Sequence, residues 1–408
     1  MMDARTLASE TAFAPDLTAL PGRAQSPRWL QELRERGRDR FEALGFPTGK
    51  TEAWRFTSVR PITRTPWERS AREAIRTQAP PPGVQIRKLS EALAAAEPHL
   101  ARIAGLEDNA FAALNTALYE DGVLVEIARG AVVEEPIALA FDAAPGGGPL
   151  VSYPRLLVVA GEGSQATLVE TWAGRGGTQH FHCGVTEIAV GDRAILTHIK
   201  VQREDEAAFH VHSIAARQER GSRLTSHNIA LGAALSRTDL DVVLAGEGAE
   251  CEANGLYVVG GSQHCDNHTT IDHAEPHGTS RELYKGVLDG RARGVFHGTV
   301  LVRPGAQKTD AIQTNKNLLL SREALVDSTP ALRIEADDVK CKHGSTTGQL
   351  DPLALFYLRS RGLGEGQARA LLVRAFASEL VTRIPVAGAR EAVEAALAAR
   401  LPFPLEAA

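Results

Sequence analysis

What most constrains this chain is the recurrence of glycine-bearing turns between short apolar runs. The turns "GEGSQATL", "VGDRAILT", "ERGSRLTS" and "GEGAECEA" place Gly163, Gly191, Gly221 and Gly248 at separations of 28, 30 and 27 residues. From about Leu124 onward lie runs such as "GVLVEIARG", "ATLVETWAG", "AILTHIKV", "GLYVVGG", "GVFHGTVLVRPG" and "ALRIEADDV", which have strand length and no helical period. A strand-turn unit repeated at such spacing fits a solenoid, in which each coil buries its apolar face on the next. A β-sandwich gives a similar pattern, so the residues alone establish a long, mainly β unit without choosing its topology.

The flanks read as helical. Ser26 is placed to cap and Pro27 to open a helix whose Trp29, Leu30, Leu33, Phe41 and Leu44 share one side before Gly45, with Gly37 weakening it. "GFPTGKTEAWRFTSVRPI" (45–62) reads as an ordered arm, and "QAPPPG" (78–83) as a linker. After Leu350 the helical period returns. Gly362 ends one short helix, Ala368, Leu371, Leu372, Ala375, Phe376 and Leu380 form a stripe closed by Pro385, and "AREAVEAALAARL" completes the tail. Those stripes must pack on the β unit or on another protein.

With 408 residues, 43% hydrophobic and 23% charged, the chain is expected to form two or three units. A formal net charge of -5 lacks the basic excess that phosphate binding requires, so nucleic acid is not expected as a partner. No apolar run is long enough to span a bilayer, and "MMDARTLASETAFAP" lacks the basic start and apolar stretch of a leader, which leads us to expect a cytoplasmic protein off the membrane. Cys183, Cys251, Cys265 and Cys341 are too few and scattered for a disulfide framework.

Ten of the thirteen histidines fall between residues 180 and 277. In "GRGGTQHFHCGVTE", strand alternation puts His180 and His182 on one face, and with Gly174 before them and Glu187 after they approach the first cupin motif, whose histidines and glutamate hold a metal. The later cupin segment is missing. "HCDNHTTIDHAEPH" offers His264, Cys265, His268, Asp272, His273 and His277 as a metal or acid-base cluster, or as polar residues on strand faces and turns. Tyr284, Lys285 and Lys308 offer anion-binding or basic groups. Cys341 and His343, in "ADDVKCKHGSTTGQLD", are expected on a common face where a strand gives way to a glycine-containing turn and a helix, with Asp337 and Asp338 near enough to orient the imidazole. One thiol and one imidazole do not complete a metal shell. No Walker A, G-x-G-x-x-G or G-x-S-x-G motif is present.

The blocks "YKGVL", "VFHGTVLV", "AQKTDA", "NLLLS", "DDVKCKHG", "GQLD" and "FYLRSRG", in order between Asp266 and Glu379, together with "KTEAWRFTSV" near the N-terminus, resemble the SufB/SufD family, the scaffold proteins of the SUF iron-sulfur cluster assembly machine. The resemblance leans to the SufD branch, because the assembly cysteine of SufB would fall near Asn315, where this chain has none. It implies a right-handed parallel β-helix core over 106–348, a helical N-terminal domain with arm and linker over 1–105, and a helical C-terminal domain over 349–408.

The resemblance further implies a non-catalytic subunit of a SufB-SufC-SufD complex, with ATP hydrolysis in the SufC partner. His343 matches the family's functional histidine at the SufB-SufD interface, where it would meet iron or a nascent cluster, and Cys341 is its neighbour. Leu353, Phe356, Tyr357 and Leu372 lie on the helices expected to dock SufC. No cofactor is expected to stay bound to this chain alone. A transient iron-sulfur cluster and reduced flavin belong to the complex, and a homodimer to the isolated chain. Glu282 stands where many relatives have glutamine, and Lys342 and Ser345 replace smaller residues beside His343. The enzymatic alternative is a metal-dependent cupin-type enzyme using His180, His182 and Glu187. A carbohydrate-acting β-helix is a poorer fit at 5% aromatic residues.

Overall fold

The computed structural model describes residues 13–21, 26–70, 74–142, 148–174 and 179–400. The "MMDARTLASETAFAP" start lies mostly outside them, as do the glycines just before His180 and the last eight residues.

Two sheets built almost wholly of parallel strands face each other, and the chain alternates between them, which makes a β-solenoid and excludes the sandwich. The first sheet runs from Val84–Lys88 and Val123–Ile127 through Arg155–Ala160, His180–Val190, Phe209–Gln218, Leu235–Leu244, His264–His273 and Arg293–Val302 to Leu325–Ile334. The second runs from Ala74–Thr77 and Ile137–Asp142 through Gln165–Ala173, Ile195–Arg203, Arg223–Ala230, Glu250–Val259, Thr279–Leu288 and Asp310–Leu319 to Lys340–Gly348. The opening strand of each sheet pairs antiparallel and closes the N-terminal end. Thereafter the register is unbroken: Thr197, Thr225, Glu252, Arg281, Ile312 and Lys342 stand in one row.

The glycine period marks one column of turns. Gly163, Gly221 and Gly248 have φ of 66°, 62° and 70°, a left-handed conformation that glycine adopts without a Cβ clash. Arg193, His277 and Lys308 hold the same conformation in the intervening and later turns. Each of these six residues donates its backbone N–H to the next turn along, as in Gly163 to Asp192 and Lys308 to Asp338, so the turns stack as the strands do.

Outside the solenoid, helix α1 (Arg28–Leu44) crosses helix α2 (Ala110–Leu118), which lies just past the expected boundary at residue 105. Ser26 does not cap α1; Pro27 precedes it, and the Ser26 carbonyl accepts from Gln31 Nε2 at 2.6 Å. Gly37 is the crossing point: a Cβ there would lie 2.9 Å from the Ala117 backbone nitrogen, so the glycine that weakens the isolated helix allows its packing. The outer face of the first sheet is covered by Phe41, Trp54, Trp67 and Phe111 packed on Phe181, Cys183, Phe209 and Val211. Burial of each such side chain contributes roughly 1.5–3 kcal/mol.

On the second sheet, Ile199, Val201, Ile229, Leu256 and Val287 are covered by helices α4 (Glu365–Val381) and α5 (Ala387–Arg400), which follow the short α3 (Pro352–Ser360). The buried stripe of α4 is Ala368, Ala370, Val373, Ala377, Leu380 and Val381. This corrects the expected stripe: Leu371 and Ala375 face out, and Leu372 and Phe376 are half-buried. Alanines at the contact let the helix lie close to the sheet, which larger side chains would prevent. None of the helices among the described residues is long and apolar enough to cross a membrane.

Candidate functional site

The C-terminal end of the solenoid differs from the rest. Leu325–Ile334 and Lys340–Gly348 are the last strands of their sheets, each paired on one side only, so two parallel edges of unpaired backbone groups lie side by side. Only half-buried and exposed residues make up these two strands, whereas the preceding coils are largely buried. The lumen opens between them.

Cys341 and His343 lie within this last strand, which corrects the expected strand-to-turn junction: Gly344 is mid-strand, and the chain turns only after Gly348. Alternation does place both on one face, and that face is the lumen. Cys341 packs against the cluster of Val300, Val302 and Ala311, and Ser345 Oγ meets Ser328 Oγ of the other sheet at 2.7 Å. His343, between them in the row, is exposed at the mouth. Burial pushes the Cys341 thiol up, away from the thiolate that metal binding or nucleophilic attack requires. Asp338 is engaged elsewhere, its carboxylate paired with Lys308 and its carbonyl accepting the Lys308 N–H at 2.7 Å. Among the described residues, no third metal-ligating side chain joins Cys341 and His343.

Behind His343 the lumen is polar. Its register partner Gln313 donates to Glu282 Oε2 at 2.8 Å, and burial raises the Glu282 carboxyl to about 7. Asn315, the position where a SufB-type cysteine would fall, is wholly buried and bound into the wall: it donates to the Tyr284 carbonyl at 3.3 Å and accepts from Asn317 at 2.6 Å and Ser328 at 2.9 Å.

Helix α3 follows directly, with Asp351 capping it through a 2.9 Å bond from the Leu353 N–H. It buries no residue. Leu353, Phe356 and Tyr357 are 77%, 71% and 56% exposed and at i, i+3, i+4 spacing form an apolar patch facing solvent. Leu372, on α4, is half-buried.

The cupin-type triad does not assemble. His180 and His182 face the lumen, both buried against Glu204: His180 Nε2 lies 3.1 Å from Glu204 Oε1, and His182 Nδ1 contacts the same oxygen. Glu187, an odd number of residues away, points through the opposite face. There it pairs with Arg155 and accepts the N–H groups of Ala101, Ile103 and Ala104 at 2.9, 3.1 and 3.0 Å, which makes it the anchor of the N-terminal domain. The residues that sequence reading missed are Glu204 and His210. His210 is the register partner of His182, one coil on, and the glycine period of 27 to 30 residues was the signal that could have joined them.

The histidine-rich strand His264–His273 also splits. His264 and Asp266 point outward to Thr57 and Arg237, with Trp54 beneath Arg237 at 3.8 Å, so the arm docks here. His273 points inward to Ser280 at 2.9 Å, and His277 is a turn residue. Burial raises the Cys265 thiol to about 12. Tyr284 packs on Phe296 in the lumen, Lys285 ties the second sheet to α4 through Glu379 and the Phe376 carbonyl, and Lys308 serves its turn.

Comparison with known proteins agrees with this architecture. Residues 143–376 match the family model described as the SUF system FeS cluster assembly SufBD core domain, and residues 68–139 match the SufBD protein N-terminal region. An iron-sulfur cluster assembly SufBD family protein of Synechocystis sp. is 40% identical over 68% of this chain and 63% of its own length. One from Mycobacterium tuberculosis is 34% identical over 87% of this chain and 89% of its own. The iron-sulfur cluster assembly protein SufD of Escherichia coli is 35% identical over 59% of this chain and 57% of its own. A solenoid with helices on both outer faces, matched by both family models in order, identifies the chain as a member of the SufBD family of the SUF iron-sulfur cluster assembly system.

Proposed function

We propose that this chain is a SufD-type scaffold whose open solenoid end pairs with a SufB-type solenoid, placing His343 at the site where a cluster is built. The observation that carries the reading is the pair of unpaired parallel edges at the mouth, with His343 exposed between them. An exposed sheet edge is a template for strand addition, and two edges side by side fit the end of a similar solenoid better than a single strand. His343 acts there as an iron ligand or acid-base group, with the sulfur chemistry supplied by a cysteine of the partner, since burial disfavours the Cys341 thiolate.

The chain itself performs no catalysis in this reading. A SufC-type ATPase docks on Leu353, Phe356 and Tyr357 with Leu372 at the margin, an apolar helix face of the kind that helix-in-groove partners cover. The iron-sulfur cluster is cargo, reduced flavin belongs to the complex, and the work is done in the cytoplasm. Co-expression with SufB-type and SufC-type partners tests the reading. It requires a three-component complex that assembles clusters and loses that ability on His343→Ala; failure to form the complex, or full activity of the variant, overturns it.

A further inference from the structure

We propose that His180, His182, His210 and Glu204 form a structural site for one divalent transition-metal ion, of the Zn2+ or Fe2+ class, inside the solenoid. The donor atoms of His180, His182 and Glu204 all lie within 4.8 Å of one another, and all three side chains are buried. Both oxygens of the carboxylate are engaged by imidazoles: Oε1 by His180 and His182, Oε2 by His210 Nδ1 at 2.8 Å. Donors about 2 Å from a tetrahedral ion stand about 3.3 Å apart, so binding would draw the 4.8 Å spread of His180, His182 and Glu204 together and bring in His210 through the Glu204 carboxylate.

The second observation is His210 itself. Its Nδ1 lies 2.8 Å from Glu204 Oε2 without the alignment of a regular hydrogen bond, its Nε2 has no partner, and the residue is completely buried. A fully buried imidazole whose Nε2 has no partner and whose Nδ1 meets only a carboxylate leaves donor capacity unspent, which a shared cation would use.

The surroundings are built to hold such a group. His182 and His210 are register partners on adjacent strands, so their backbones are fixed relative to each other. Glu204 sits at the corner after Ile195–Arg203, where Gly232 makes room for it: a Cβ on Gly232 would lie 2.2 Å from the Glu204 carbonyl oxygen. Gln202 Nε2 donates to Glu204 Oε2 at 2.8 Å while its Oε1 accepts the Gly232 N–H at 3.1 Å, the outer support that orients metal ligands. The Trp172 ring walls the site with its centroid 5.5 Å from His182 and 5.1 Å from His210.

Three nitrogens and one carboxylate suit Zn2+ or Fe2+ and do not suit an iron-sulfur cluster, which needs thiolates. Cys183, next to His182, faces the opposite way and donates to the Phe111 carbonyl at 3.4 Å. The site therefore differs in residues and chemistry from the His343 mouth, and either can fail without the other.

Elemental analysis of the full chain, purified without chelators or a metal-affinity column, tests the proposal. The expected result is about one Zn or Fe per chain, reduced at least about tenfold in His182→Ala and Glu204→Gln and unchanged in His343→Ala. Should His182→Ala fail to fold, Glu204→Gln and cobalt substitution decide: chelator-stripped wild-type chain given Co2+ should develop the visible bands of a tetrahedral nitrogen-oxygen site, and Glu204→Gln should not. A folded wild-type chain with no stoichiometric metal and no cobalt bands overturns the proposal, as does metal content unaltered by both variants.

Discussion

Gln313 and His343 are register partners in the last parallel pair of the second sheet, so the exposed imidazole at the solenoid mouth ends a row that continues inward through Gln313 to Glu282. His343 is exposed and carries none of the packing of that end, so His343→Ala should leave stability within about 0.5 kcal/mol of wild type. In the three-component complex the same substitution should slow cluster formation by about an order of magnitude or more, the loss expected on removing a metal-binding or acid-base group. Denaturant unfolding of the chain and cluster absorbance on the complex measure the two separately.

Glu282 gives the lumen a pH dependence. Burial raises its carboxyl to about 7, with hydrogen bonding, from Gln313 among others, only partly offsetting. A folded-state value above the unfolded one means that the native state binds the extra proton. The stability this contributes is present in full below about 4.5 and is lost as pH rises through about 7. The loss is on the order of 3 kcal/mol. Urea unfolding between pH 5 and pH 8, conditions chosen to straddle that range, should show stability falling with pH in wild type and a flatter profile in Glu282→Gln, whose amide oxygen still accepts from Gln313.

Glu187 is an anchor with a large predicted cost. It is wholly buried, paired with Arg155 and bonded to three backbone N–H groups of the 101–104 segment. Glu187→Ala leaves Arg155 buried and unpaired and should destabilise by about 3–5 kcal/mol. Limited proteolysis near residues 101–104 should accelerate with it, whereas a metal-ligand role would instead appear as lost metal.

The apolar patch of α3 predicts the opposite pattern. Phe356→Asp, at a position 71% exposed, should change stability by less than about 0.5 kcal/mol while abolishing capture of a SufC-type ATPase. Pull-down of that ATPase, with thermal unfolding of the variant as a control, checks both halves.

The repeat was legible because left-handed turns select glycine at Gly163, Gly221 and Gly248. Gly191 of the same period is not left-handed, Arg193 two residues on being so instead, and the period faded where His277 and Lys308 take that conformation, held by stacked backbone bonds that no residue type announces. Strand alternation already separated Glu187 from His180 and His182, since an odd offset reverses the face, but the cupin spacing obscured that conflict. The α4 stripe was misplaced because the reading favoured large apolar residues, whereas the buried face of the helix also carries the small Ala370 and Ala377. The openness of the mouth was not legible at all. Cys341 and His343 lie on a strand like those before it, and only the end of the stack leaves them uncovered.

The central claim is that this open end is a pairing surface. Hydrogen-deuterium exchange of the strands Leu325–Ile334 and Lys340–Gly348, in the chain alone and in complex with SufB-type and SufC-type partners, tests it most directly. The account predicts that edge amides exchanging freely in the isolated chain become protected by about tenfold or more in the complex, while those of the buried strand Phe209–Gln218 are unchanged. A complex that forms with no added protection at either edge would contradict it.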